Sequence, residues 1–396
     1  MFNITIEQEV LAKALEFLEP TVGKNASQLG DNCISMKETG NGSMIMYTTN
    51  TVEFTEIKVI VNMGGTTQDI APYVDFKRFK GIINSIPANE MISITANVNN
   101  IEIHYGLNKT PITLVGNSNG MLPLPTNSFP SSSMINVPKN ELIAVLNNVS
   151  SIITDNPSNP IYNCIRIATN GAKIDFTAAD VVAKRTFVSS ILSTQNNPVS
   201  EVLIEASKFK KSIKIFEDYQ DLDMYMDSKV VRIDGGVLNT NTPKTKGMIG
   251  DIKYYTRRLT GVFPTTIKNN FNPLPSEFCE INKTELLSCF SRVKSIEDSN
   301  SGGLIGFEVN GGDCIITMNS SYGNIEDLIF MENTFSKSFK TIFKYQNISD
   351  ILKVIPTDTF EIGALPNHPT NYVIKPKGVT DMMFTVPIMV GGNNNP

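Results

Sequence analysis

The sequence has few residues of the kinds that hold metals or cross-links. Its 396 residues include no tryptophan, two histidines and five cysteines. No two cysteines are spaced Cys-x-x-Cys, and neither His104 nor His368 has cysteine, histidine or carboxylate neighbours at metal-ligand spacing. We therefore expect no metal and no cofactor, and we expect thiols that are reduced and mostly buried, as in cytosolic proteins.

Long apolar runs and nucleotide-binding motifs are also missing. No stretch of 18 apolar residues occurs, so no membrane span is predicted. The opening MFNITIEQEVLAKAL has no basic region followed by an apolar run, so no secretory signal is expected and a cytoplasmic location is predicted. The patterns GxxxxGK[S/T], GxSxG and GxGxxG are absent, which argues against several large enzyme classes.

Positive charge is scarce overall but locally concentrated. The chain has 34 Lys and Arg against 39 Asp and Glu, a net charge of −5, yet the stretch VDFKRFKGIINSIP at 74–87 has three bases and one acid. Phe76, Phe79 and Ile83 recur at helical spacing and predict one apolar face, with Lys77 on the opposite face. An acidic protein that keeps a basic helix is expected to have a local basic surface.

The pattern of this helix and of the strands after it occurs three times. It returns at 202–236 and at 342–378, offset by 130 and 269 residues, so that Phe209 and Ile348 correspond to Phe79. Another helix repeats as ITIEQEVLAKALEFL, INVPKNELIAVLNNV and CEINKTELLSCFSRV. Strands separate the two helices in each copy, and agreement of several elements in the same order indicates an internal repeat.

These repeats predict an α+β fold of three similar domains. Each unit contains a helix, two or three strands, a second helix and two or three further strands. Proline-rich connections at 120–133 and 263–276 separate the copies. We therefore predict domains at 1–128, 129–270 and 271–396.

The second helix of each predicted domain carries most of the local positive charge. Segment 75–86 has a net charge of +2, segment 205–218 of +1 and segment 336–355 of +3, which leaves −11 for the rest of the chain. An ordinary solvated helix face would show similar bases. A row of bases beside an acidic remainder is also typical of a protein that contacts DNA phosphates on one surface only.

The order of these elements resembles the bacterial and phage DNA sliding clamp, the β subunit of the replicase. The most specific matches are the opening FNITIEQEVLAKAL, the join RRLTGVFPTTIKN (257–269) and the closing strand MMFTVPIMV (382–390). The resemblance implies that two chains close head to tail into a ring of six domains. In such a ring, helices line a central hole and antiparallel sheets form the outside.

The resemblance also implies a function and partners. A clamp encircles duplex DNA without reading its sequence and tethers the replicative DNA polymerase, and a clamp loader places it on DNA. The residues expected to face DNA lie on the second helices and in the loop after the first helix, where a solvated lysine is equally consistent with the sequence. They are Lys24, Lys77, Arg78, Lys80, Lys210, Lys211, Lys214 and Lys353.

In the family, partner proteins insert a short apolar peptide between the second and third domains. The positions here that match the walls of that pocket are Asp180, Val182, Pro264, Lys268, Val386, Pro387, Ile388 and Met389. The sequence departs from the family at two places, since Met389 replaces a basic residue and the 179–183 loop retains only its aspartate. Lys184 and Arg185 follow this loop and are expected to supply the missing positive charge.

The resemblance places the homodimer contact between the first domain of one chain and the third domain of the other. Ile296, at the end of a helix, and Ile112, in a strand, are the residues expected there. Two other functional classes remain open on the sequence alone. One is a non-catalytic repeat scaffold or capsid-like protein, and the other is a nucleic-acid-modifying enzyme with a basic face.

Overall fold

The computed structural model describes residues 2–23, 30–64, 71–97, 99–107, 111–117, 134–153, 156, 158–227, 229–235, 249–264, 267 and 271–389. The chain forms two compact units. Unit 1 comprises Met1–Asn140, Ser193–Pro198 and Lys208–Arg258, and unit 2 comprises Glu141–Leu192, Val199–Ser207 and Leu259–Pro396. Because both units take part of the middle repeat, the boundaries of the three predicted domains stay a prediction.

The elements of the first repeat alternate as predicted. In chain order they are β1 (Phe2–Glu7), α1 (Gln8–Leu18), β2 (Cys33–Gly40), β3 (Ser43–Thr49), β4 (Glu53–Ile60), β5 (Asn62–Met63), β6 (Val74–Asp75), α2 (Phe76–Ser85), β7 (Met91–Ala96), β8 (Asn100–Tyr105) and β9 (Ile112–Val115).

The second repeat follows the same order with longer strands. Its elements are β10 (Met134–Pro138), α3 (Lys139–Ile152), β11 (Cys164–Asp180), β12 (Arg185–Glu205), α4 (Ala206–Ser212), β13 (Asp221–Met226), β14 (Val230–Gly235) and β15 (Ile249–Arg257). A 3-10 turn at Ile213–Phe216 continues α4.

The third repeat again places a helix, a pair of strands and a second helix in succession. Its elements are β16 (Cys279–Asn282), α5 (Lys283–Ile296), β17 (Leu304–Ser320), β18 (Gly323–Lys344), α6 (Tyr345–Leu352), β19 (Thr359–Ala364), β20 (Asn371–Pro376) and β21 (Met382–Pro387). Asn282 caps α5 by accepting hydrogen bonds from the backbone N–H groups of Thr284 and Glu285.

The strands form three sheets, and the strand pairs with a described register are antiparallel. A five-stranded sheet has the order β5-β1-β7-β8-β9. One eight-stranded sheet, β10-β13-β14-β15-β4-β3-β2-β6, joins strands of the first and second repeats through the β15–β4 pair. The other, β11-β12-β21-β20-β19-β16-β18-β17, joins the second and third repeats through the β12–β21 pair. The predicted α+β class is confirmed.

The apolar faces of the helices form cores against these sheets. In α1 the buried residues include Val10, Leu11, Ala14 and Leu18, with the spacing that the sequence shows. Helix α2 buries Phe76, Phe79 and Ile83, and packs against α1. The predicted apolar stripe of α2 is therefore confirmed, and its polar residues lie on the side away from the core.

The basic segment predicted at 336–355 is mostly a strand, so its interpretation as a helical row was wrong. Strand β18 continues to Lys344, and α6 occupies only Tyr345–Leu352. Thr341 and Phe343 are buried while Lys340 and Lys344 are exposed, an alternation with the period of a strand. Lys337, Lys340 and Lys344 therefore lie on β18, and only Lys353, the C-cap residue of α6, remains of the third basic row.

The five cysteines are thiols that form no disulfide, as predicted. Four are buried, and Cys33 is half-buried. Burial raises the pKa of Cys279 and of Cys289 to about 12, which leaves little reactive thiolate at neutral pH.

A buried carboxylate joins the first and second repeats within unit 1. Glu53, at the start of β4, is 3% exposed and accepts hydrogen bonds from the Tyr254 hydroxyl at 2.6 Å and the Ser212 hydroxyl at 3.0 Å. The Asn50 side-chain amide donates to its other oxygen at 3.0 Å. Burial and the nearby Glu53 carboxylate raise the pKa of Tyr254 well above its ordinary value, so this hydroxyl stays protonated and able to donate.

Replacing Tyr254→Phe should destabilise the protein, because it leaves a buried carboxylate without one of its donors. A hydrogen bond to a charged group contributes about 1.5–3 kcal/mol, and we expect the free energy of unfolding to fall by about that amount. Urea unfolding of the purified protein measures the loss. Tyr322→Phe, whose ring is 77% exposed, is the matched control and should not change stability. Equal stability of the two variants would contradict the role assigned to the Tyr254–Glu53 hydrogen bond.

Candidate nucleic-acid and peptide interfaces

Helix α2 holds its basic residues in place through a capped first turn. The Asp75 carboxylate accepts a hydrogen bond from the Arg78 backbone N–H at 2.8 Å, which fixes the start of the helix. With Phe76 and Phe79 buried beneath, the side chains of Lys77 and Arg78 are exposed. These two predicted DNA-facing residues are therefore free to meet a ligand in solvent.

Lys80, on the same helix, has an intramolecular partner. Its Nζ lies 2.9 Å from a carboxylate oxygen of Glu19, which follows α1. The Lys80 side chain is 19% exposed, whereas that of Glu19 is 60% exposed. The ammonium group is therefore held against the protein by an acid that faces solvent.

A second ion-paired lysine lies on α1. Lys13 Nζ is 3.0 Å from Glu16 and 3.2 Å from Glu217, which follows the 3-10 turn after α4. Burial lowers the pKa of Lys13, but the hydrogen bonds to the two carboxylates outweigh this and raise it above its ordinary value. The lysine of α1 is thus neutralised by the surrounding acids.

The second repeat presents its lysines differently. Phe209, Ile213 and Phe216 are buried, which turns Lys211 and Lys214 outward, both exposed. Burial, and then repulsion from Lys214, lowers the pKa of Lys210.

A cavity of about 730 Å³ in unit 1 brings the lysines of two repeats together. Lys77 and Lys80 of α2 and Lys211 of α4 lie on its walls. Gly81 also lines it, and a Cβ added there would meet nothing within 4 Å, so the space beside this residue is open. Acids line it too, namely Glu16, Glu19 and Asp75.

In unit 2, Lys353 also has a carboxylate partner. Its Nζ lies 3.2 Å from Asp350, one turn earlier on α6. Asp350 accepts a further hydrogen bond from Gln346 at 2.6 Å and lies 3.7 Å from Arg185. Lys24, the remaining residue predicted to face DNA, lies outside the described residues.

The hairpin turn between β11 and β12 directs its basic group inward. Asp180 is 4% exposed and accepts a hydrogen bond from the Ala183 backbone N–H at 2.9 Å. Arg185 is 7% exposed, donates to the Ile152 carbonyl at 3.0 Å and lies 3.5 Å from Asp180. The expectation that Arg185 replaces the missing basic residue of the pocket was wrong, because its guanidinium ties the end of α3 to this turn.

The closing strand offers fewer accessible side chains than the sequence indicated. Val386 is fully buried and Pro387 is buried, so both belong to the core in this conformation. Ile388 is half-buried and Met389 is 43% exposed. Backbone hydrogen bonds from Ile388 to Thr370 and from Met389 to Ile342 hold this end of the chain on unit 2.

The structure brings several predicted pocket segments close together in unit 2. Phe263, next to the half-buried Pro264, packs in one buried cluster with Ala179, which precedes Asp180. Thr186 pairs with Thr385, so the turn at the start of β12 is connected to the closing strand. Lys268 lies outside the described residues.

Two exposed valines beside these segments were missed by sequence reasoning. Val182, which was predicted, is 81% exposed, and Val181 beside it is 46% exposed. Val262, directly before Phe263, is 79% exposed. A run of two valines in a turn is an unusual surface feature, and it is the signal that could have identified Val181 as well.

The residues predicted at the dimer contact lie on different units. Ile112 begins β9, an edge strand of the five-stranded sheet, and is half-buried. Ile296 is the last residue of α5 and is also half-buried. Leu328 and Phe330 on β18 are 53% and 69% exposed and were not identified from the sequence. The predicted contact region of each unit therefore has apolar side chains that solvent can reach.

Two kinds of site are not found in the part of the chain that the structure describes. No three His, Cys, Asp or Glu side chains there are grouped so that they could hold a metal ion. Among the same residues, no helix combines the length and apolar character needed to cross a bilayer.

Comparison with known proteins relates this architecture to replication clamps. Residues 134–238 match the family model described as DNA polymerase III beta subunit, N-terminal domain. That segment is the middle repeat here, so the model of a first domain matches the second, as expected of internal repeats. A comparison with curated protein sequences found no match.

Solved structures match the chain over almost its full length. A DNA polymerase sliding clamp from Pseudomonas aeruginosa has a TM-score of 0.82 and 14% identity, with 98% of this chain and 100% of that chain covered. The sliding clamp from Bacillus subtilis has the same TM-score and identity, with 99% and 100% covered. The DNA polymerase III beta chain from Streptococcus pneumoniae has a TM-score of 0.82 and 15% identity over 99% and 100%. The resemblance seen in the sequence is therefore confirmed: the chain has the fold of the bacterial DNA polymerase III beta sliding clamps, and its middle repeat matches their family model.

Proposed function

We propose that the protein is a DNA sliding clamp that encircles duplex DNA and tethers the replicative DNA polymerase. The observation that carries the proposal is the structural match to sliding clamps over nearly the whole chain, together with the match of residues 134–238 to the family model. The outward lysines of α2 and of the α4 region support it, because a fold alone does not define a function. The role is binding and tethering, with no catalytic step.

Contact with DNA would be made through phosphates and would not depend on sequence. Lys77, Arg78, Lys211 and Lys214 are long exposed cations on helices, and lysine binds phosphate as a point charge. A modest number of such contacts gives weak binding that falls with salt, and this suits a protein that must move along DNA. Retention would then depend on the closed ring rather than on affinity.

Closure would require a second copy of the chain. Three repeats per chain make six in a homodimer, and cyclic symmetry closes such an assembly. The half-buried Ile112 on an edge strand and Ile296 at the end of α5 supply apolar contact groups for a head-to-tail interface. Loading such a closed ring onto DNA would require a clamp loader, and the location we propose for the protein is the cytoplasm.

Partner proteins would bind through a short apolar peptide on unit 2. The accessible groups for this are Val182, Pro264, Ile388 and Met389, of which Val182 and Met389 are the most exposed. An anchor side chain buried on this surface would contribute about 1.5–3 kcal/mol. Because Arg185 is turned inward, we expect the preferred peptide to depend on apolar side chains more than on acidic ones.

The two alternative functions have less support. No acid or histidine cluster of the kind a nuclease needs is found in the described residues. A capsid-like or other scaffold role would not explain the outward lysines of the α4 region, and no observation in the structure favours it.

Retention on circular DNA tests the proposed function. The loaded protein should remain on a nicked circle at moderate salt and should be lost after the circle is cut once, because a ring slides off a free end. Gel filtration of the complex before and after cutting measures retention. Equal loss from the circular and linear DNA would contradict the sliding mechanism.

The purified protein should be a homodimer in solution. Light scattering at micromolar concentration should give twice the mass of the 43.6 kDa chain. A stable trimer, or a monomer at every concentration tested, would be inconsistent with a six-domain ring made from two chains.

The double variant Ile388→Asp with Met389→Asp should weaken peptide binding without dissociating the dimer. Charge placed on this surface opposes burial of an apolar anchor, and we expect at least a tenfold loss of affinity, or about 1.4 kcal/mol. A labelled polymerase-derived peptide and fluorescence anisotropy measure it. Val199→Asp, at an 83% exposed valine elsewhere in unit 2, is the matched control. Unchanged affinity in a dimeric double variant would refute the assignment of this surface.

A further inference from the structure

The lysines proposed to contact DNA differ in whether a carboxylate already holds them. Lys80 is paired with Glu19 at 2.9 Å, and Lys353 with Asp350 at 3.2 Å. Within the described residues, Lys211 and Lys214 make no ion pair, and the acid that follows them, Glu217, is directed to Lys13 instead. Lys80 and Lys353 therefore already have an acidic partner, whereas Lys211 and Lys214 are exposed cations without an ion pair among the described residues.

Glu19 is the clearest of these acids because of its position. It lies on the wall of the unit 1 cavity together with Lys80, Lys77 and Lys211. The Glu19 side chain is 60% exposed. Asp350, in contrast, also accepts a hydrogen bond from Gln346 and pairs with Arg185. A phosphate that approaches Lys77 and Lys211 would therefore meet Lys80 already bound to Glu19.

We propose that Glu19 is an internal competitor of the DNA phosphate for Lys80 and thereby limits how tightly the protein holds DNA. This inference rests on the proposed DNA-binding function. An ion pair with an exposed partner contributes little stability, so a phosphate can break it, but only at the expense of part of the binding free energy. The competition lowers affinity and leaves mobility along the duplex.

Acids in and near α1 hold other lysines of the same unit in ion pairs. Glu16 and Glu217 pair with Lys13, and Glu19 pairs with Lys80, so Lys77 is the first-repeat lysine of the cavity wall that has no ion pair among the described residues. The attraction for phosphate is then strongest at Lys77, Lys211 and Lys214. A few strong contacts among many weak ones allow the DNA to shift without leaving the surface.

The test is the isosteric variant Glu19→Gln in the full-length protein, which keeps the size of the side chain and removes its charge. Fluorescence anisotropy with a labelled duplex, over a range of salt concentrations, gives the affinity and its salt dependence. We expect binding to tighten about two- to tenfold at low salt. The slope of log K against log salt should steepen by about 0.9, since each added phosphate contact releases counterions.

A double-mutant cycle separates competition from simple repulsion. In the Lys80→Gln background, Glu19→Gln should have no effect on affinity or on the salt slope, because the lysine that it frees is missing. Glu56→Gln, which removes an equal charge from an ion pair with Lys253 in the β4–β15 strands, is the control and should bind DNA like the parent.

Three results would overturn the inference. They are unchanged DNA affinity in Glu19→Gln, equal tightening with and without Lys80, and equal tightening in Glu56→Gln. Lys211→Gln with Lys214→Gln reports on the proposed function separately, since it should weaken binding whatever Glu19 does. If that variant binds DNA as tightly as the parent, the proposed DNA surface itself is wrong.

Discussion

Burial of one apolar face on each second helix is the constraint on which the rest of this structure depends. Phe76, Phe79 and Ile83 in α2, and Phe209 and Ile213 in the α4 region, cannot leave the core without exposing large apolar surfaces. Their burial fixes the rotation of the helices and turns the polar residues between them outward. The positions of Lys77 and Lys211 follow from packing, and the fold thereby creates a basic surface in a chain that is acidic overall.

Strand pairing between repeats gives these helices a continuous support. In unit 1 the β15–β4 pair extends one sheet across two repeats, and the buried Glu53 ties β4 both to Tyr254 on β15 and to Ser212 at the end of α4. In unit 2 the β12–β21 pair does the same for the second and third repeats. The α4 region, whose lysines are proposed to contact DNA, is thereby tied to a sheet built from two repeats.

The sequence predicts the repeated elements well because periodicity is a local property. The apolar spacing of α1 and α2 and the strands that follow α2 are found where the pattern placed them. The segment before α6 was predicted as a helix because the charges of Lys337, Lys340 and Lys344 were considered without the apolar pattern between them. Thr341 and Phe343 are buried at every second position, which is the spacing of a strand.

The candidate sites were harder to predict, because they depend on which residues meet in space. Nothing in the sequence near Lys80 shows that Glu19, 61 residues earlier, lies within 2.9 Å of it. The inward turn of Arg185 likewise depends on the Ile152 carbonyl and Asp180, and the burial of Val386 depends on its neighbouring strands. Residue types identified the surfaces, but pairing and burial decide which side chains remain available on them.

The central claim is that two copies of this three-repeat chain surround DNA. Electron microscopy of the purified particle, without any partner protein, tests it most directly. The account predicts closed rings with a wall of six similar lobes around a hole wide enough for duplex DNA. Compact particles without a hole, or open filaments of head-to-tail chains, would contradict it.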